Sequence, residues 1–347
     1  MSTKEPLVSI IILNYNAGKL LLDCVESVKN SNYSNIEIIV VDNISSDNSQ
    51  IRCKEKYQGI KLIQNKKNFG YCGGNNIGIK EANGDFITIL NPDTVIEPNC
   101  IKELVLAHEQ MGEGLFQPKI LSLNEENVIQ STGNMIHVFG FGFARDKGKK
   151  DIIKQEKIEK IGYASGTCLF TSKQVFEKIG LLDEFLFLYH DDLDLGWRAA
   201  QIGINSYYVP NSKIYHVESY SLKWSAKKFY WLERNRKYCI LTHFSKKTYS
   251  KMRFSLMLVD LFVWIFYFSK GFLGAKIKAE IDIQKNKNEI ERKYHELETK
   301  KKISDIDLIK QFPNEIFVPT NVSQNSINQG FNSILTKLSK NVKEKII

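Results

Sequence analysis

Two short stretches hold the residues best suited to chemistry. In the first, Gly84 to Thr94 (GDFITILNPDT), an apolar run stops at Asn91-Pro92-Asp93. Phe86, Ile87, Ile89 and Leu90 have the bulk and β-propensity of a strand buried on both faces, and Pro92, which cannot donate to a ladder, marks its end. Asp93 then stands at the carboxyl edge of a strand. Ligands collect at that edge in open α/β sheets, and a carboxylate there suits Mg²⁺ or Mn²⁺ carried by a phosphate substrate. The competing reading is that Asn-Pro-Asp is only a turn signal. The second stretch, Gly180 to Arg198 (GLLDEFLFLYHDDLDLGWR), crowds Asp191, Asp192 and Asp194 into four residues after an apolar approach. Clustered acids repel, so a metal, a cation or a shared proton must compensate them, and one of them could then serve as a general base. Alternatively, a helix begins near Asp191 and its dipole favours acids in the first turn. A calcium loop is excluded, because Trp197 to Ala200 offer no further oxygen ligands. His216 follows a short apolar run, Ile204 to Val209, and a turn at Pro210-Asn211; it is either structural or a further ligand at the same edge.

These residues must be positioned by alternating strands and helices. Leu7 to Leu13 reads as a buried strand, too short and wrongly flanked for a signal peptide, and Leu20, Leu21, Cys24, Val25 and Val28 recur at helical spacing after it. Ile36 to Val41 is a second strand ending on Asp42-Asn43, and Lys61 to Gln64 a short third. Asn68 to Gly78 (NFGYCGGNNIG) is a glycine-rich loop that would let backbone approach a ligand, leading into a short helix. A further short strand is expected at Gln117 to Ile120, and Gly133 to Gly148 as a mobile loop near the substrate. The pattern is that of βαβ units in a mostly parallel sheet with a site along its carboxyl edge. Neither a G-x-G-x-x-G after the first strand nor a G-x-x-x-x-G-K-[ST] is present, which argues against dinucleotide dehydrogenases and P-loop NTPases.

Composition is that of a globular chain, with 43% hydrophobic and 25% charged residues over 347 positions. Six dispersed cysteines without C-x-x-C pairs or zinc spacing read as reduced cytosolic thiols. The net charge of +9 is concentrated between Ser221 and Arg253, where ten basic residues face one acid, Glu233. Nucleic-acid binding would follow from such a patch, but no nucleic-acid module accompanies it.

Taken as an ordered set, VSIIILNYN, IIVVDNISSDNS, NFGYCGGNNIG, GDFITILNPDT, YASGTCLF, GLLDEFLFLYHDDLDLGWR and YHVESYS resemble the inverting glycosyltransferases of family 2, in particular the rhamnosyltransferase-like branch, over about Val8 to Lys246. The resemblance implies an α/β fold of the GT-A type, Rossmann-like with a mostly parallel central sheet, a nucleotide-diphosphate-sugar donor and a divalent metal, Mg²⁺ or Mn²⁺. It implies that Asp42, Asn14 and Asn16 contact the nucleoside, that Asn68, Gly70 and Asn76 belong to the donor site, and that Asp93 is the metal-binding aspartate, with Asn91 in place of the first acid of a D-x-D motif. Asp192 matches the expected general base. Asp191 stands where the family usually has Glu, and Gly196 where it often has Cys. His216 resembles a position near the metal, and Arg234-Asn235-Arg236 one near the diphosphate. The implied reaction moves rhamnose or another hexose to a glycan or lipid-linked acceptor in cell-surface polysaccharide synthesis; a catalytically silent nucleotide-sugar binder of the same fold is the alternative.

The expected organisation is a catalytic domain over residues 1–250, an apolar interfacial helix over 251–275 and a charged helical spacer with a flexible tail over 276–347. Phe254 to Phe268 forms about 22 Å of helix, short of a bilayer core of about 30 Å. Trp264, Phe266 and Tyr267, with Lys251, Arg253, Lys270, Lys276 and Lys278 as flanks, suggest an interfacial helix on anionic lipid, against the alternative of a helix packed on the catalytic domain. The protein would then be cytoplasmic and peripheral at the inner face of the membrane. Ile277, Ile281, Ile290, Tyr294 and Leu297 predict a solvated helix or weak coiled coil that could mediate a homo-oligomer.

Overall fold

The computed structural model describes residues 5–152, 157–217, 225–316 and 326–347, with the side chains of 326–329 outside that description. The strands are β1 (Val8–Asn14), β2 (Ile36–Asp42), β3 (Lys61–Gln64), β4 (Phe86–Leu90), β5 (Thr94–Ile96), β6 (Gly114–Ser122), β7 (Ile129–Ser131), β8 (Asn134–Ile136), β9 (Gly142–Ala144), β10 (Glu159–Ile161), β11 (Cys168–Ser172) and β12 (Asn205–His216). The helices of the first two thirds are α1 (Lys19–Lys29), α2 (Ser49–Lys56), α3 (Gly70–Lys80), α4 (Cys100–Met111), α5 (Lys173–Ile179), α6 (Asp191–Gln201) and α7 (Ala226–His243). Beyond them come α8 (Lys246–Ser269), α9 (Leu273–Lys285), α10 (Lys287–Lys300), α11 (Asp305–Gln311) and α12 (Ser326–Ile346).

The main sheet runs β10-β12-β6-β11-β4-β1-β2-β3, with β5 on β12 and β7 on β6. β3, β2, β1 and β4 are mutually parallel, as are β6 and β12, while β11 is antiparallel to both its neighbours, β4 and β6. This is the expected mostly parallel α/β sheet. Its strands are apolar throughout because both faces are covered. Along β1, Val8, Ile10 and Ile12 enter the core under α1 and α4, whereas Ile11 and Leu13 enter the opposite one, shared with α3 and α6.

Several elements differ from the sequence reading. The glycine-rich stretch is largely helix α3, not a loop, and its glycines serve packing. A Cβ on Gly74 would collide with Leu13, and one on Gly78 with Ile11, so their absence lets the helix lie against β1. Gly133 to Gly148 contains a hairpin, β8 with β9, whose tip buries Val138 and Phe139 in the core. Pro210-Asn211 is not a turn that ends a strand; it sits in a register shift between Val209 and Lys213 inside β12, one of the few places a sheet accepts proline. All six cysteines are buried free thiols.

The C-terminal third folds back on the catalytic region. α9 and α10 pack along α7, and Ile290, Tyr294 and Leu297 are buried there, which replaces the expected solvated spacer. The tail expected to be flexible includes α12, which packs on α8 with Leu335, Val342 and Ile346 buried; residues 317–325 of it lie outside the described residues. α8 begins eight residues before Phe254 because Ser245 caps it, its hydroxyl accepting the Thr248 N–H at 3.2 Å.

Candidate active site

β1 and β2 end together because their parallel register pairs Asn14 with Asp42. The two polar termini thereby meet at the carboxyl edge. Asn14 Nδ2 donates to Asp42 Oδ1 at 2.8 Å and to Ser49 Oγ at 2.9 Å, and the Ser45 N–H donates to Asp42 Oδ2 at 3.0 Å. Asn16, at φ 53°, accepts the Ser46 N–H at 2.7 Å. These three residues shape the edge, while their neighbours Leu13, Tyr15, Ala17 and Asn43 line a cleft of about 470 Å³. Asn68 and Gly70 line it as well, as do Asp93, His216, Asp191 and Asp192.

Asp93 follows β4, and the antiparallel pairing of β5 with β12 sets Thr94 opposite His216. His216 Nε2 consequently lies 3.4 Å from Asp93 Oδ1. Gln130 fixes the imidazole: its Nε2 donates to the His216 carbonyl at 2.8 Å, which leaves its Oε1 to accept from Nδ1 at 2.7 Å. With Nδ1 carrying the proton, a neutral ring turns the lone pair of Nε2 toward the cleft-side carboxylate. Asp93 Oδ1 is buried and has no hydrogen-bond partner among the described residues. An unsatisfied buried carboxylate oxygen facing an imidazole lone pair is a donor set that fits a divalent cation.

The three clustered acids separate by environment. Asp194 points into the core, where Arg198 Nε donates to Oδ2 at 2.8 Å and His243 Nε2 lies 2.9 Å from Oδ1. Although burial opposes it, the Arg198 charge and the His243 hydrogen bond hold its carboxyl well below the usual range. Asp191 and Asp192 open α6 and face the cleft. Burial pushes Asp191 well above the ordinary carboxylate value, and the adjacent Asp192 charge adds to the rise. Asp192 is also raised by burial, but the Gly166 N–H at 3.0 Å and the Leu193 N–H at 2.8 Å favour its ionised form. Both groups are raised, Asp191 the more strongly, and Asp192, with two N–H donors on its carboxylate, is the better placed to act as an ionised base.

The loop before these acids is strained. Phe187, Tyr189 and His190 have φ of 61°, 66° and 60°, left-handed values that bulky residues seldom adopt. Asn235 holds it: Nδ2 donates to the carbonyls of Leu186 at 3.0 Å, Leu188 at 2.8 Å and Tyr189 at 2.7 Å. Arg234 adds donation to the Phe185 and Leu186 carbonyls. From the other side, the Tyr71 N–H donates to the Phe187 carbonyl at 2.7 Å. His190, half-buried and 3.3 Å from the Gly140 carbonyl, is pushed down to about 4 by desolvation.

Three residues expected in the donor site lie elsewhere. Arg234 and Arg236 are buried behind the acid-bearing loop, Arg236 paired with Glu233 at 2.8 Å, so neither reaches a diphosphate in the cleft. Asn76 is buried between α3 and the chain at Leu182, donating to the Leu182 carbonyl at 2.9 Å and accepting its N–H at 3.0 Å. The basic stretch instead contributes Lys227 and Lys228 to the cleft wall. The sequence contains no signal separating them from the other eight cations of that stretch, one of which, Lys223, falls outside the described residues.

A mostly parallel sheet with a carboxylate beyond the end of β4 and an acid pair at the start of α6 has the architecture of a GT-A fold. Structures of GalNAc-T7 with UDP, GalNAc and Mn²⁺ (TM-score 0.59, 17% identity, 72% of this chain and 51% of that one) and of S. aureus TarS (TM-score 0.51, 16% identity, 97% and 90%) share it. Residues 9–180 match the family described as Glycosyl transferase family 2, and this region of the chain belongs to that family. A low-salt glycan biosynthesis hexosyltransferase, Agl10 of Haloferax volcanii, is 33% identical over 208 residues, covering 57% of this chain and 62% of that protein. An N-acetylglucosaminyl-diphospho-decaprenol L-rhamnosyltransferase of Mycobacterium tuberculosis is 24% identical over 235 residues, covering 61% and 76%. The chain thus spans less than two thirds of the Haloferax relative's length.

Proposed function

We propose that this protein is an inverting glycosyltransferase that moves a hexose, rhamnose among the candidates, from a nucleotide-diphosphate donor to a glycan or lipid-linked acceptor. The observation that carries the proposal is the meeting of two unlike carboxylate sites in one cleft: Asp93 with His216, and Asp191 with Asp192. The nucleoside lies at the end shaped by Asn14, Asn16 and Asp42, with Asn43, Asn68 and Gly70 on the wall. A divalent cation, Mg²⁺ or Mn²⁺, held by Asp93 and His216, would supply charge neutralisation for the diphosphate. Lys227 and Lys228 add positive charge on the same wall.

Asp192 takes the proton of the acceptor hydroxyl as its oxygen attacks the anomeric carbon. The bond from that carbon to the donor phosphate oxygen breaks as the new glycosidic bond forms, and the nucleoside diphosphate leaves with the electron pair. Asp192 acts as a base, without a covalent intermediate, so the anomeric configuration inverts. Asp191 is raised by burial and by the adjacent Asp192 charge, which favours the uncharged form of this neighbouring acid. The mycobacterial relative's name supports a rhamnosyl donor and a diphospho-lipid acceptor as the first pair to try.

Thermal stabilisation by a panel of nucleotide sugars, each with Mn²⁺, Mg²⁺ or chelator, tests the donor half without an acceptor. Ligand that binds the native state raises its stability with the logarithm of concentration over Kd. A shift with one nucleotide sugar that disappears with chelator is expected. No shift with any of them, from a sample that melts cooperatively, would refute the donor assignment.

A further inference from the structure

α8 has two unlike faces. Met252, Ser255, Val259, Val263 and Tyr267 are buried along its whole length, and Asp260 is tied to Lys276 at 2.6 Å and to Lys237 at 3.1 Å. Phe254, Met257, Leu261, Ile265 and Phe268 recur every three or four residues on another face and are between 54% and 72% exposed. They form an apolar row about 21 Å long. The helix cannot leave the protein to cross a bilayer without breaking the first set of contacts, although its length and composition alone would permit a span. It lies flat.

The residues bracketing the exposed row are basic. Lys246, Lys247, Lys251 and Arg253 precede it and Lys270 follows, with no acid at either end within the helix. The row itself differs from the sequence expectation. Tyr267 turns inward and donates its hydroxyl to the Phe229 carbonyl at 2.8 Å, Trp264 lies 5.2 Å from the buried Lys276 ammonium, and Lys278 lies over Tyr230 at 4.6 Å. What remains outward is aliphatic and phenyl surface without hydrogen-bonding groups, ended by cations.

We infer that α8 seats the protein on an anionic phospholipid bilayer through Phe254, Met257, Leu261, Ile265 and Phe268, with Lys247, Lys251, Arg253 and Lys270 against the headgroups. An apolar face with cationic ends matches the chemistry of an acyl boundary beneath anionic headgroups, and a flat helix buries that face without spanning. A second copy of this chain would bring identical cations together at such an interface, so charge complementarity favours lipid. The seat also adjoins the cleft. Phe229, stacked on Phe272 at 4.7 Å and edge-on to Tyr267 at 5.6 Å, joins the carboxyl end of α8 to the turn of α7 that carries Lys227 and Lys228. The docking itself does not depend on the proposed transfer.

Co-sedimentation of the full chain with phosphatidylcholine vesicles, with and without phosphatidylglycerol, tests the inference. Binding is expected to the phosphatidylglycerol vesicles and to weaken with salt. The double substitution Met257→Glu with Leu261→Glu, on exposed positions, should lower vesicle affinity by about tenfold or more. Lys247→Glu with Arg253→Glu should also weaken it, by about tenfold or more and only on anionic vesicles. Absence of vesicle binding by a cooperatively melting sample overturns the inference, as does vesicle binding that the Met257/Leu261 pair leaves unchanged. A dimer in light scattering that the same pair dissolves, without vesicle binding, would assign the row to a second copy instead.

Discussion

The acids facing the cleft and those packed behind it are the same chemical group under opposite regimes. Behind the cleft, Asp194, Glu233, Asp260 and Glu280 each have a cation. Asp194 is met by Arg198 and His243, Glu233 by Arg236 and Lys276, and the buried Lys276 ammonium lies 2.6 Å from oxygens of Glu233, Asp260 and Glu280. These groupings bring acids together as metal sites do, yet protein cations already fill the place of an ion. Within the cleft, Asp93 keeps an unsatisfied oxygen and Asp191 and Asp192 face one another's charge with backbone N–H groups as the only compensation described. Deficit, not acidity, distinguishes the acids available for chemistry.

The largest effect should follow from removing the base. Asp192→Asn is expected to lower turnover by about 10²–10⁴-fold with donor affinity nearly unchanged, measured by single-turnover transfer and calorimetry. Near-normal turnover would move the base elsewhere. On the compensated side, Asp194→Ala leaves Arg198 buried without its carboxylate and should cost about 3–5 kcal/mol in urea unfolding. A loss no greater than that of a surface substitution would erase the contrast between the two sets.

Asp93→Asn should weaken metal-dependent donor binding, read by titration with Mn²⁺ and with chelator. Losing even an outer partner of a metal ligand costs about 10–100-fold, and loss of the carboxylate should cost at least as much. Asn235→Ala should reduce kcat by about tenfold and leave donor Kd in place, because it frees the loop that aims the acids without touching substrate. Asn235→Ser, able to satisfy fewer of the three carbonyls, should fall between.

The pH responses should run in opposite directions. With folded values above the ordinary carboxylate value of about 3.9, Asp191 and Asp192 favour the folded state fully below that value, and their contribution is lost as pH rises through the raised values. Asp194, held below its ordinary value, contributes above it and loses that contribution as pH falls. Asp191→Asn should therefore stabilise the protein relative to the parent increasingly as pH rises, seen in unfolding midpoints across a pH series. A constant difference would show that Asp191 does not carry the raised proton.

How much of this was legible in the sequence depended on the range of the cause. β1, β2 and β4 are legible because a strand buried on both faces needs a continuous apolar run, and their polar termini follow from where the runs stop. The place of Asp93 beyond the carboxyl end of β4 was readable for the same reason. Which of Asp191, Asp192 and Asp194 faces inward was not: Arg198 stands four residues from Asp194, but its second partner, His243, lies 49 residues away on α7. Arg234 and Arg236 look like phosphate ligands in sequence; only the fold shows that Glu233, Asp282 and loop carbonyls engage them first. The glycines of α3 misled for a local reason, since a residue without Cβ suits a close helix–strand contact as well as a close ligand.

One reversed strand has a further consequence. Parallel strands all arrive at the cleft edge with carbonyl groups leading, so an edge built from them alone is rich in acceptors. β11 runs the other way, beginning where β4 ends, and the turn before it brings amide hydrogen to that rim, the Gly166 N–H on Asp192, while its Thr167 carbonyl accepts the Asn91 N–H from the end of β4. This inversion of chain direction thus gives an otherwise oxygen-lined rim a donor that favours the ionised form of one carboxylate of the pair.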